Sequence, residues 1–227
     1  MEIRVVPDPT AVAAEVAERM AAAIDGAVAE HGVATVAFSG GATPAPMLRA
    51  LSQRPLPWDS VHVFQVDERL APDGHPDRNA TMLRAELLDR VGAQAHLMPV
   101  TAEDLQQAAG DYAALLADLA GGVLDVVHLG LGPDGHTASL VPGDPVLHVT
   151  DRDVALTGEY QGRRRMTLTY PALDRARLLV WEIVGDDKAD AVRSLVDQGD
   201  VPAGGVSQAR AVLVTDQAAA IGDRQNA

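Results

Sequence analysis

Val33-Ala34-Thr35-Val36-Ala37-Phe38-Ser39-Gly40-Gly41-Ala42-Thr43-Pro44 is an apolar run that stops abruptly at two glycines, then offers a threonine and a proline. Residues 33–38 are β-rich with no polar alternation except Thr35, the pattern of a strand buried on both faces of a parallel sheet. Glycine leaves backbone N–H groups open to a ligand with no Cβ in the way. Pro44 suits the first turn of a helix, whose N-terminus favours an anion. The segment fits an anion cradle and an ordinary strand-to-helix turn capped by Thr43 equally well. It has neither the Gly-Lys-Ser/Thr of a P-loop nor the G-x-G-x-x-G of a dinucleotide fingerprint.

The surrounding chain repeats the strand-then-helix cycle. Ile3–Val6 reads as an edge strand ending at Pro7. Residues Thr10–His31 read as a helix with Thr10 as N-cap, apolar Val12, Val16, Met20 and Ile24 at helical spacing, and Gly32 as the stop. Val61–Val66, Leu124–Leu129, Arg165–Thr169, Leu178–Val184 and Ala211–Val214 are further expected strands. Asn79–Arg90, Ala102–Leu119 and Asp186–Val196 are further expected helices, and a short tail closes the chain. Alternating strands and long helices predict an α/β, Rossmann-like, mostly parallel sheet with helices on both faces. With no internal repeat or dividing linker, residues 1–227 are expected to form a single domain.

Apolar residues make up 47% of the chain but aromatics only 3%, so the core must be built mainly from Ala, Val and Leu. The formal charge of -14 argues against nucleic-acid binding, and an anionic ligand would need a local pocket that overrides this field. Without cysteine, disulfides, thiol nucleophiles and Cys-type metal sites are excluded. No apolar run approaches the ~18 residues of a membrane span, and the N-terminus has no signal-peptide segment. A soluble cytoplasmic protein with no membrane partner is expected.

In parallel α/β sheets ligands sit at the carboxyl ends of the strands, and there the unusual residues collect. Asp67-Glu68-Arg69 follows the Val61 strand directly. Gly130-Leu131-Gly132-Pro133-Asp134-Gly135-His136 follows the Leu124 strand and presents an imidazole on a tightly folded loop. Histidine titrates near neutral pH and is the commonest general base. Arg165 opens a later strand, and Lys188 sits in the first turn of a helix. A cation there opposes the helix dipole, unless it shares an anion with the helix end. Arg163 and Arg164 read as solvated.

Together these segments resemble the 6-phosphogluconolactonase family, within the larger group that also holds the glucosamine-6-phosphate deaminases. The matching stretches are Phe38–Pro44, Val66–Arg69, Asn79, Gly130–Leu140 with Pro142-Gly143, Arg165–Thr169, and Gly185 with Lys188-Ala189. They keep the family's order over residues 33 to 190. The resemblance implies a NagB/RpiA/CoA-transferase-like fold, no metal or cofactor, and hydrolysis of 6-phospho-D-glucono-1,5-lactone to 6-phosphogluconate. It also implies residue roles. Ser39, Gly40, Gly41 and Thr43 would hold the phosphate with Arg165 and Lys188. His136 would be the general base, Asp67 and Arg69 would line the sugar ring, and Asn79 and Asp134 would stand behind them. Either Asp134 or Asp67 could orient the imidazole. A lactone is an activated ester, so one base and oxyanion donors, from the glycine loop or Arg69, suffice.

The chain departs from the family pattern at Arg78, where a serine is usual, and at Val141, where an aromatic is frequent. Two rivals share the fold. The deaminases continue from Asp-Gly-His into a Phe-Asn-Glu-Pro segment whose glutamate takes part in ring opening, whereas Ala138-Ser139-Leu140-Val141-Pro142 supplies no carboxylate. A non-catalytic sugar-phosphate sensor could dispense with the base, yet His136 is present. The expected partner is a small sugar-phosphate lactone, and the default expectation for assembly is a monomer.

Overall fold

The computed structural model describes residues 1–220; the end of the expected tail, residues 221–227, lies outside them. The opening stretch becomes strand β2 (Ala34–Phe38), with all five residues buried. It follows β1 (Glu2–Val6) and α1 (Pro9–His31) and leads into α2 (Pro44–Ser52). The chain continues through β3 (Val61–Gln65), β4 (Asp67–Arg69), α3 (Asn79–Glu86), β5 (Gln94–His96), α4 (Leu105–Ala120) and β6 (Val126–Leu129). It ends with β7 (Val154–Leu156), β8 (Arg165–Leu168), α5 (Tyr170–Arg175), β9 (Leu179–Ile183), α6 (Ala189–Val196) and β10 (Ala211–Asp216).

Seven strands form one sheet in the order β1-β10-β9-β6-β2-β3-β5, with every pair parallel. Alternate strand residues point to opposite faces. Val36 and Phe38 pack under α1, α2 and α3, while Ala37, Phe64 and Trp181 pack under α4, α5 and α6. Among the described residues, no helix is long and apolar enough to cross a membrane.

Several boundaries differ from the sequence expectation for identifiable reasons. Helix α1 is capped by Asp8, which accepts from the Ala11 amide at 2.9 Å, and not by Thr10. Pro9 has a fixed φ and no N–H, which suits the first helical position and moves the start forward. Gly32 ends α1 at φ 85°. The expected Asn79–Arg90 helix gives way after Glu86 to a tight turn at Leu88–Arg90, and a similar turn, Asp186–Lys188, precedes α6.

The main correction concerns Arg165–Leu168. It is fully buried, as a strand of the parallel sheet would be, yet it belongs to a second, antiparallel sheet in the order β4-β8-β7. The chain passes from one sheet to the other at Val66, whose amide donates to Phe38 O at 3.0 Å and whose carbonyl accepts from Leu168 N at 2.8 Å. The small sheet therefore hangs from the carboxyl edge of the large one, and Asp67 and Arg69 belong to a strand instead of a loop.

Glu68, with no exposed surface, fixes this junction. Its Oε1 accepts from the amides of Arg69 and Asn79, both at 2.8 Å; its Oε2 accepts from Ala80 N at 2.9 Å and Gln65 Nε2 at 3.0 Å. Arg78, at the N-cap of α3, makes no side-chain cap, so the carboxylate of Glu68 satisfies two first-turn N–H groups in its place. The Arg78 guanidinium is itself buried, 3.0 Å from Glu68 Oε2, and donates to Ala71 O at 2.8 Å. At position 78 this chain thus has a buried ion pair with Glu68 and no side-chain cap. Glu68→Leu would leave the α3 amides of Asn79 and Ala80 unpaired and take from Arg78 its buried partner, leaving it the exposed Asp73 and Ala71 O, and is expected to lower stability by about 3 kcal/mol. Urea denaturation measures it, and a loss below about 1 kcal/mol would contradict the assignment.

Candidate active site

A cleft of about 250 Å³ opens at the carboxyl ends of β2, β6 and β9, walled on one side by the small sheet. The Ser39–Thr43 loop forms part of its lining. Gly41 has φ 110°, a conformation that side chains disfavour. A Cβ on Gly40 would fall 2.0 Å from Asn79 Cγ, so the loop and α3 touch only because residue 40 is glycine. Thr43 makes no side-chain cap to α2, although it occupies the N-cap position. The Ser39 hydroxyl donates to His128 O at 2.9 Å and so fastens the loop to β6.

The wall is a chain of polar contacts. Arg69 Nη1 donates to Asn79 Oδ1 at 2.7 Å, Asn79 Nδ2 donates to Asp67 Oδ1 at 2.9 Å, and Ser139 Oγ donates to Asp67 Oδ2 at 2.5 Å. Both oxygens of Asp67 are engaged in this chain. The carboxylate beside the imidazole is that of Asp134, whose Oδ1 lies 2.6 Å from His136 Nδ1, which resolves the choice that the sequence left open. An ionised carboxylate only accepts, so in the neutral imidazole this contact places the proton on Nδ1 and leaves the lone pair on Nε2. Burial opposes ionisation of Asp134, but hydrogen bonds from His136 and Tyr160 outweigh it and hold the carboxyl below the usual range. Gly132 makes room for the ring: a Cβ there would fall 2.0 Å from His136 Nδ1.

Arg165 and Lys188 line the same cleft. Arg165 is 4% exposed, and burial pushes its guanidinium down from the usual arginine range, with Asp67 opposing. Lys188 Nζ lies 2.9 Å from Asp187 Oδ2, and the Gly185 turn before it is held by Asp216, 3.2 Å from the Gly185 amide. Arg163, expected to be solvated, is half-buried and bound to Asp77 at 2.9 Å. Among the described residues, no group of three or more His, Asp or Glu side chains is arranged to hold a metal ion.

The sequence reading passed over two sets of residues at the site. His128 and Glu182 lie on one face of the sheet, on adjacent β6 and β9, with Nε2 and Oε2 2.9 Å apart and almost no exposure. Both touch the cleft from below. The available signal was a histidine and a glutamate inside otherwise apolar strands. Tyr160 and Gln161, in the turn before β8, carried no motif.

The family model described as glucosamine-6-phosphate isomerases/6-phosphogluconolactonase matches residues 7–215. A 6-phosphogluconolactonase of Synechocystis sp. is 43% identical over 175 residues, covering 73% of this chain and 72% of its own. The crystal structure of a 6-phosphogluconolactonase from Thermotoga maritima superposes with a TM-score of 0.86 at 24% identity, covering 95% of this chain and 98% of its own. A monomeric glucosamine-6-phosphate deaminase superposes with a TM-score of 0.83 at 19% identity, covering 96% and 98%. At these identities the two structures establish the fold and do not separate the two activities.

Removing one member of a buried hydrogen-bonded pair leaves the other unsatisfied, whereas replacing both with apolar groups can be nearly neutral. Glu182→Leu is therefore expected to lower stability by about 3 kcal/mol, and adding His128→Leu to recover most of that loss. A double-mutant cycle by denaturation measures it; a double variant no more stable than the single would contradict the pairing.

Proposed function

The chain belongs to the family of glucosamine-6-phosphate isomerases and 6-phosphogluconolactonases, and within it we propose that the cleft hydrolyses 6-phospho-D-glucono-1,5-lactone to 6-phospho-D-gluconate with His136 as general base. This is the second step of the oxidative pentose phosphate pathway. The observation that carries the reading is the 2.6 Å Asp134–His136 contact in a cleft shared with Arg69, Arg165 and Lys188. The segment after His136 presents Ala138, Ser139 and Leu140, which carry no carboxylate for the ring opening of a deaminase.

Neutral His136 takes a proton from water through Nε2 as the water oxygen bonds to the lactone carbonyl carbon. Asp134 holds the tautomer and stabilises the imidazolium that forms. The carbonyl oxygen becomes an oxyanion, for which backbone N–H groups of the Gly130–Gly132 loop and the Arg69 guanidinium are candidate donors. Collapse breaks the bond to the ring oxygen, which leaves as an alkoxide and takes the proton back from His136. Gly40, Gly41 and Thr43, with Arg165 and Lys188, hold the phosphate and thereby orient the distant carbonyl. Ser39 serves this loop from behind, since its hydroxyl is bound to β6. Clustering the cations in the cleft counters the acidic field of the remaining surface.

His136→Ala is expected to reduce lactone hydrolysis, corrected for spontaneous opening, by about 10²- to 10⁴-fold. An unchanged rate would remove His136 as base, and a wild-type rate no higher than buffer would remove the lactonase reading. Arg165→Ala and Lys188→Ala are expected to raise KM more than they lower kcat, as loss of uniform binding does; unchanged KM in both would move the phosphate elsewhere. Gly132→Ala, which displaces the imidazole, is expected to lower kcat about 100-fold in steady-state assays. Wild-type turnover would show that the ring tolerates the shift.

A further inference from the structure

Strands β7 and β8 are joined through Glu159-Tyr160-Gln161-Gly162-Arg163, whose turn closes with Tyr160 N donating to Arg163 O at 2.9 Å and Arg163 N to Tyr160 O at 3.2 Å. Gln161 and Gly162 both have left-handed φ, 52° and 76°, as the tightest hairpin turns require. The turn fixes Tyr160 at its base, half-buried, and there the side chain meets three groups of the site.

Its hydroxyl donates to Asp134 Oδ2 at 2.8 Å, the oxygen opposite the one that holds His136. Its ring stands edge-on to the imidazole, with centroids 5.3 Å apart at 63°. The guanidinium carbon of Arg165 lies 5.0 Å from the same ring's centroid, within cation–π range. Gln161 Nε2 donates to the phenolic oxygen at 3.3 Å, so the phenol's own proton is left for Asp134.

We propose that Tyr160 is a positioning residue of the lactonase reaction: its hydroxyl aims Asp134 at His136 and draws charge away from the imidazole, while its ring seats Arg165. The proposal rests on His136 being the base. A carboxylate shared between two donors stabilises an imidazolium less than one devoted to it alone. With the phenol in place, His136 gives up its proton more easily and remains an available base to lower pH. Burial, then the hydrogen bond to Asp134, pushes the phenol above its ordinary range, so it stays a donor. The other charged groups in the cleft are Asp67 and Arg69 from β4, Arg165 from β8, Glu182 from β9 with its partner His128 from β6, and Lys188 before α6. Tyr160→Phe changes none of them.

The test is kcat/KM for the phosphorylated lactone as a function of pH, for wild type, Tyr160→Phe, Tyr160→Leu and His136→Ala. Tyr160→Phe keeps the ring and is expected to shift the acid limb upward by about half a pH unit, a roughly threefold loss below the limb, with KM unchanged. Tyr160→Leu is expected to shift the limb equally and to raise KM as well, because Arg165 loses its support. If Tyr160→Phe superimposes on wild type, or moves the limb downward, while His136→Ala is inactive, the proposal is overturned and the base assignment stands. If His136→Ala is as active as wild type, both fall. An unchanged KM in Tyr160→Leu overturns the role assigned to the ring.

Discussion

The side chain of Glu68, wholly enclosed, is the constraint on which the site depends. A carboxylate without solvent must be surrounded by donors, and the donors it collects come from Gln65 at the end of β3, Arg69 in β4, and Asn79 and Ala80 at the start of α3. The contacts weld a three-residue strand, too short to hold itself, to the end of a central strand and the beginning of a helix. Asp67 and Arg69 flank Glu68 on β4, and Asn79 opens α3, so the wall of the cleft is set by where this one group finds its partners. Arg78 balances the charge from inside the junction.

Steric emptiness is the second requirement. Gly40 and Gly132 are required less for flexibility than for closeness, since each allows a functional side chain to lie where a Cβ would be: Asn79 against the first loop and His136 against the second. The polar side chains are then packed into one orientation instead of hanging from mobile loops. The proposed general-base role of His136 depends on this order, because a displaced imidazole would no longer meet the attacking water.

Electrostatically the molecule works against its own composition. A chain of charge -14 draws three cations into one cleft, and backs them with anions that are otherwise engaged: Asp67 by Asn79 and Ser139, Asp187 by Lys188 and Asp134 by His136 and Tyr160. The buried His128 and Glu182 side chains beneath the cleft meet each other across two neighbouring strands. An anionic ligand thus meets a local field quite different from that of the surface.

Much of this was legible in the residues. The unbroken apolar run before Gly40 predicts a doubly buried parallel strand, and β2 is one; the loops after β2 and β6 were marked by glycine and histidine at strand ends, where parallel sheets place their ligands. Those features are local, set by side-chain periodicity and by backbone angles that only certain residues adopt. The second sheet was not legible, because strands of three and four residues have too little periodicity to distinguish one sheet from another. Nor could the sequence choose between Asp67 and Asp134, since which carboxylate reaches an imidazole depends on distances across loops. The buried pair of His128 and Glu182, and the reach of Tyr160 to Asp134, join residues 54 and 26 positions apart. The sequence by itself determined the α/β class, the strand ends and the types of group available there. Only the tertiary structure decided which groups pair, because pairing is a matter of angstroms between segments that the chain brings together from afar.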